Sequence, residues 1–313
     1  MRQARARGYT RAVRAVIVAV LVAVVAAGCG TNNRSSSGAG AADTLSSLMK
    51  RPGEDVTVVN GDSDFAPGDL RFSFLVISHD ARPVERDEAR VWLARSQDGH
   101  PFESATARLE EIGPPGSGEA AFGGVGRIYV VHLQVPKPGR YWLVAEPVGA
   151  KIQALGTLDV KARSDSVAVG AKAPGSATPT LASTHGDVPA LTTRVPPDRA
   201  LLRYSVASSL AAHKPFVVTF ATPRFCTSRT CGPVVDVVDY VRHKATGSGV
   251  RFIHVEVFTK NRPALGYNRW MRQWGLQSEP WTFLVGRDGL VKAKFEGSVS
   301  AAELETAIRR LLL

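Results

Sequence analysis

The chain has 313 residues, of which 44% are hydrophobic and 21% charged, with 29 glycines and 19 prolines. This is globular composition, long for one domain, and it excludes a wholly disordered, collagenous or coiled-coil chain. The formal charge of +11 is inflated by Arg2, Arg5, Arg7, Arg11 and Arg14 at the extreme N-terminus, and no basic patch interleaved with base-stacking aromatics follows, so a nucleic-acid partner is not expected.

Residues 1–14 carry only positive charge, and Ala15 to Ala27 form an unbroken apolar run. The run is shorter than the about 20 residues a membrane span needs and matches the core of an export signal. It ends in Ala26-Ala27-Gly28-Cys29, which resembles the bacterial lipobox, with Ala26 where leucine is usual. The resemblance implies a lipoprotein signal peptide at 1–28 and lipid on Cys29. It also implies an extracytoplasmic chain anchored to the bacterial cell membrane through that lipid. Residues 29–53, rich in Ser, Gly, Ala and Asn, then read as a flexible tether.

From 54 to 161 apolar alternation recurs in Val56–Val59, Leu70–Ile77, Ala89–Ala94, Arg127–Leu133, Tyr141–Ala145 and Leu155–Val160. Pro67-Gly68, Pro114-Pro115-Gly116 and Pro138-Gly139 supply turns between them. The pattern predicts an all-β sandwich, and Pro138-Gly139-Arg140-Tyr141-Trp142 resembles the approach to a late strand of immunoglobulin-like folds, which implies an immunoglobulin-like sandwich. His79, His100 and His132 are scattered through it, and no metal site is expected from them. Residues 162–188, rich in Ala, Ser, Gly, Pro and Thr, read as a linker, and Val169 to Pro174 resembles the lead-in of extracytoplasmic thioredoxin-like proteins.

Beyond 189 the pattern alternates strand and helix. Phe216–Phe220 and Val250–Val257 read as buried strands. Pro233 to Val241 reads as a helix with Val234, Val237, Val238 and Val241 on one face. Tyr267, Trp270, Met271 and Trp274 are spaced as one more helical face. Trp281–Val285 and Leu290–Phe295 read as a hairpin around Arg287-Asp288-Gly289. Ser300 with Glu303 signals a capping box before a last helix. This order, with Lys214 to Phe220, Trp274 to Val285 and Phe295-Glu296-Gly297, resembles the thioredoxin fold, and implies an α/β thioredoxin-like domain over 189–313.

Setting Cys29 aside, Cys226 and Cys231 remain, one possible pair in an oxidising compartment. They lie between a strand end and a helix start, where free backbone N–H groups favour a thiolate, and Arg224 and Arg229 stand nearby. By the resemblance, Cys226 is the nucleophile, Cys231 the resolving thiol, and Pro280 the family's cis-proline lying against the pair. The sequence departs from the family in having four residues between the cysteines. It also has Thr219 where a buried acid assists proton transfer, and Glu279 before Pro280. His254 or Glu256 could carry protons instead.

Three readings stay open. The first is a membrane-anchored thiol–disulfide oxidoreductase acting on protein thiols or disulfides, without a cofactor. The second is a non-catalytic binding module with a structural disulfide, which the four-residue spacer favours. The third is a copper-handling protein, since paired thiolates suit Cu(I), although no histidine lies between Pro263 and Leu313.

Overall fold

The computed structural model describes residues 43–51, 53, 56–117, 125–149 and 153–313. Cys29, the residues read as a signal peptide and most of those read as a tether lie outside the described residues.

Seven strands come first: β1 (Val56–Asn60), β2 (Gly68–Ser78), β3 (Glu88–Ala94), β4 (Glu103–Glu111), β5 (Arg127–Val135), β6 (Gly139–Pro147) and β7 (Ala154–Val160). They close into a barrel in the order β1-β2-β5-β4-β3-β6-β7. All neighbours are antiparallel except β1 and β7, which meet in parallel at Thr57 and Leu155. This corrects the expected immunoglobulin-like sandwich, whose two sheets would keep free edges. Alternation fixes which side chains face inward but is the same for an open and a closed sheet. The closing seam depends on Gly156, where an added Cβ would come within 2.9 Å of the Val58 Cβ. Inside the barrel Phe72, Phe74, Tyr129, Leu133 and Tyr141 are almost wholly buried. Phe72 stacks on Phe74 at 4.9 Å and Phe74 on Tyr129 at 5.3 Å. Each such side chain contributes about 1.5–3 kcal/mol of burial energy.

Part of the span read as tether is helical. In α1 (Leu45–Met49), Thr44 and Ser47 form a reciprocal capping box. Leu45 and Leu48 pack on the outward-facing Trp92, Ala94 and Val144 of β3 and β6, which explains why β3 is buried on both faces over its last four residues.

The second sheet has the order β11-β10-β8-β9, from β8 (Phe216–Phe220), β9 (Arg251–Val255), β10 (Trp281–Val285) and β11 (Val291–Glu296). β8 runs parallel to β9 and antiparallel to β10. The five residues of β8 and of β10 are all buried, as expected of central strands covered on both faces. On one face α3 (Cys231–Lys244) and α5 (Ala301–Leu311) pack over Val217, Leu284 and Phe252. On the other, Trp274, Met271 and Val206 pack over Phe220, Phe283 and Val255. The helices on that face are short, α2 with six residues (Val206–Ala211) and α4 with five (Arg269–Gln273). The described chain is therefore mostly β, a closed barrel plus a second sheet with few helices. The expectation of an α/β thioredoxin-like domain behind a sandwich is corrected with it. The aromatic spacing from Tyr267 overstated helix. Asn268 caps α4, its side chain accepting from the Trp270 and Met271 N–H groups, so Tyr267 precedes the helix.

The span read as linker is laced onto the second sheet. Val167 N–H donates to the Trp274 carbonyl at 3.1 Å, Gly170 N–H to Val291 at 2.8 Å and Ala173 N–H to Gly289 at 2.9 Å. Barrel and second sheet meet through buried charge. Arg71 of β2 donates to Glu303 of α5 at 2.7 and 2.9 Å and to the Ser298 carbonyl at 2.8 Å. Glu303 is thus spent on Arg71, and the helix start keeps only the forward bond, from Glu303 N–H to Ser300 Oγ at 3.1 Å. Glu296 accepts from Ser63 and Asp64 N–H groups at 2.7 and 2.8 Å.

Candidate functional site

β8 is a continuous apolar and β-branched run, and its pairing with β9 and β10 carries the chain to Ala221 and Thr222, both buried. The next residues, Pro223 to Thr230, form an irregular turn with Arg229 at φ 60. α3 begins at Cys231, with Thr230 before it giving no side-chain cap. The first-turn N–H groups are therefore free to serve another acceptor. Cys231 N–H donates to Cys226 Sγ at 3.3 Å. The Ser228 hydroxyl stands 3.2 Å from the same sulfur and 2.8 Å from the Thr230 hydroxyl.

The two sulfurs are unlike. Cys226 is half-buried and Cys231 fully buried, both as free thiols. The Cys231 thiol donates to Cys226, and this bond, with those from Ser228 and the Cys231 and Thr230 backbone, pulls Cys226 down to about 5 against the pull of burial. Burial, then the bond its thiol donates to Cys226 and the negative charge of that sulfur, push Cys231 far above the ordinary thiol range. Hydrogen bonds thus dominate the acidity of Cys226, among them the free backbone N–H expected of a helix start, and neither Arg224 nor Arg229 is among its main causes. Arg224 instead stacks on its neighbour Phe225 at 5.5 Å.

Pro280 is buried, follows a cis Glu279–Pro280 bond, and accepts from Gly297 N–H at 2.9 Å. Trp281 pairs with Phe220, so one step beyond the strands Pro280 is level with Ala221 and Glu279 with Thr222. The charge of Glu279 reaches both sulfurs. Burial pushes its carboxyl up, and a hydrogen bond from the Tyr267 hydroxyl opposes that. Burial and Glu279 together push the Tyr267 phenol up. Tyr267 stacks on Phe258 at 5.4 Å.

The other groups singled out in the sequence are engaged elsewhere. Thr219 Oγ1 lies 3.1 Å from Thr282 Oγ1 between the two central strands. His254 is held between the Ala221 carbonyl at 3.1 Å and Thr192 Oγ1 at 3.4 Å, and its pKa is pushed down by burial. Glu256 accepts from Thr193 N–H at 2.6 Å and Thr193 Oγ1 at 2.7 Å. Ser228 and Tyr267 were not legible as site residues: one sits in a featureless spacer and the other was absorbed into an apparent helix face. A shallow cleft of about 520 Å³ runs along α3 beside Gly232 and Pro233, lined also by Pro114 and Ser117. Its carboxylates are matched, Asp236 by Arg194 at 2.8 Å and Asp239 by Arg242 at 2.7 Å. Among the described residues no group of three His, Cys, Asp or Glu side chains could hold a metal ion, and no helix is long and apolar enough to cross a membrane.

No family model matches the chain, and no curated protein does. Among solved structures it is similar to a thioredoxin-family thiol:disulfide interchange protein from Chlorobium tepidum, at 17% identity and a TM-score of 0.28, over 34% of this chain and 86% of that one.

Proposed function

We propose that the chain is a thiol–disulfide oxidoreductase whose Cys226–Cys231 pair exchanges disulfides with protein substrates. The observation that carries this reading is the asymmetry of the pair: a half-exposed sulfur held as thiolate at about 5, hydrogen-bonded to a buried sulfur held as thiol. The thiolate is the attacking species in exchange, and a low-pKa sulfur is also the better leaving group. Cys226 attacks a substrate disulfide. The S–S electron pair leaves on the distal substrate sulfur, which takes a proton. Cys231 then loses its proton and attacks Cys226 Sγ, releasing the second substrate thiolate and closing the intramolecular disulfide. The substrate is reduced by two electrons and the pair oxidised by two. With electron flow reversed, the same steps oxidise a dithiol. Pro280, beside the turn, shapes the surface on which the substrate strand lies.

The apolar run and Cys29 support export and lipid anchoring at the outer side of a bacterial membrane, with two acyl chains giving a stable hold. The Ser/Gly-rich residues after Cys29 would let the site reach substrates above the membrane.

The test is the reduction potential of the pair, measured by equilibrating the chain in thiol buffers and reading alkylation by mass. A potential above about −270 mV with rapid exchange is expected for a redox-active pair. A potential below about −300 mV, or a native disulfide inert to thiols, would leave a structural staple and sink the proposal. In the Cys231→Ser variant a mixed disulfide should accumulate at Cys226.

A further inference from the structure

Breaking the Cys226–Cys231 bond leaves an electron pair on Cys231, in a place where an anion is badly solvated. Cys231 is fully buried, and Cys226 is by then bonded to the incoming sulfur and cannot take the charge. A proton must therefore reach Cys231 as the bond breaks and depart as it forms. The usual acid of the strand is missing, since Thr219 is spent on Thr282. His254 is committed to Ala221 and Thr192, and Glu256 is held through Oε1 by the Thr193 N–H and hydroxyl, its Oε2 buried without a hydrogen-bond partner.

We propose that Glu279, oriented by Tyr267, is the proton carrier of the buried sulfur. This rests on the exchange reading above. When an incoming thiolate attacks Cys226, the S–S bond breaks, Cys231 takes the electron pair, and the Glu279 carboxyl gives up its proton to Cys231. Glu279 is left as a carboxylate, accepts the Tyr267 hydrogen bond and is reprotonated from water. In the reverse direction the carboxylate removes the Cys231 proton as Cys231 attacks the mixed disulfide.

The placement supports it. Strand register sets Glu279 level with Thr222, whose backbone hydrogen-bonds Cys231. The Glu279 side chain has a single protein hydrogen bond among the described residues, from the Tyr267 hydroxyl to Oε2, and no salt bridge there neutralises it. Its other oxygen is left for a proton. The titratable and charged groups around it are Tyr267 before α4, Cys226 in the turn and Cys231 opening α3. Arg272 of α4 is engaged at 2.5 Å by the Tyr267 carbonyl. Burial raises the carboxyl pKa, which keeps a proton available until Cys231 needs it.

Reduction of the oxidised chain by excess dithiothreitol, followed by rapid-mixing tryptophan fluorescence across pH, tests the assignment. The Glu279→Gln variant keeps an acceptor for Tyr267 and loses the proton. It is expected to be reduced about a hundredfold more slowly and to lose the pH break that the wild type shows on the carboxyl. Glu279→Asp should recover part of the rate. Tyr267→Phe should keep most of the rate and move the break to higher pH, because the phenol bond favours the carboxylate. A merely repulsive carboxylate would make Glu279→Gln faster. That result, or a wild-type rate and pH profile in Glu279→Gln, overturns the assignment while leaving exchange at the cysteines intact. A wild-type disulfide that dithiothreitol does not reduce overturns both.

Discussion

Replacing Ser228 by alanine should make Cys226 a weaker acid by about one pKa unit. Cys226 Sγ receives hydrogen bonds from Ser228 at 3.2 Å, from Cys231 N–H at 3.3 Å, and from the Cys231 thiol and Thr230 backbone. A hydrogen bond to a charged group contributes about 1.5–3 kcal/mol. Ser228 is exposed, so its bond belongs at the lower edge, where about 1.4 kcal/mol is one unit. Alkylation of the reduced chain by iodoacetamide, resolved by mass for each cysteine, reads the thiolate fraction directly. The wild-type midpoint should lie at about 5, and the Ser228→Ala midpoint at about 6. Thr227→Ala, at an exposed neighbour with no hydrogen bond to the sulfur among the described residues, should leave the midpoint in place. An unmoved midpoint in Ser228→Ala would refute the hydrogen-bond account of the site's acidity. A wild-type midpoint near the free-thiol value of 9.0 would do so more broadly.

Because the folded, reduced chain holds Cys226 at about 5 against 9.0 for the free thiol, the unfolded state binds more protons between those limits. Stability of the reduced form, relative to a Cys226→Ser variant, should therefore be fully present above about 9, fall with pH and be lost below about 5; a flat difference in melting temperature across that window contradicts the shift. Gly275→Ala should cost about 3 kcal/mol or more in urea unfolding: Gly275 sits at φ +68, and a Cβ there would collide with the Asp165 carbonyl oxygen and lie 2.9 Å from its carbon. Arg71→Ala should cost about 3–5 kcal/mol, because the guanidinium is 10% exposed and its loss strands Glu303 and Asp62; a loss under about 1 kcal/mol, the level of a surface pair, would show that this junction is held by other contacts.

Residue chemistry alone placed the two cysteines between a buried strand and a helix, and located strands wherever apolar residues alternate, from Val56 to Val160. It did not register β4, whose sequence Glu-Ser-Ala-Thr-Ala-Arg-Leu-Glu-Glu carries too few apolar residues to show a period. It also read Tyr267 to Trp274 as one helical stripe where a single short helix forms. The site was half legible: Cys226, Cys231, Pro280 and Glu279 stand out by type and position. Ser228 does not, since a serine in a polar turn gains meaning only when the chain folds its hydroxyl back onto a sulfur.

The features that follow from residue order alone are local: burial period, turn chemistry, and the strand-to-helix setting that gives a cysteine free N–H groups. Closure of the first sheet, the grip of Arg71 on Glu303, and the approach of Glu279 and Tyr267 to the sulfurs were decided by tertiary structure. Each joins residues far apart in the chain, and a period of two or of 3.6 carries no information about which distant edge or side chain will be met. The contrast between a sulfur held as thiolate and one held as thiol belongs to that second group, because burial and hydrogen bonding, not residue type, set it.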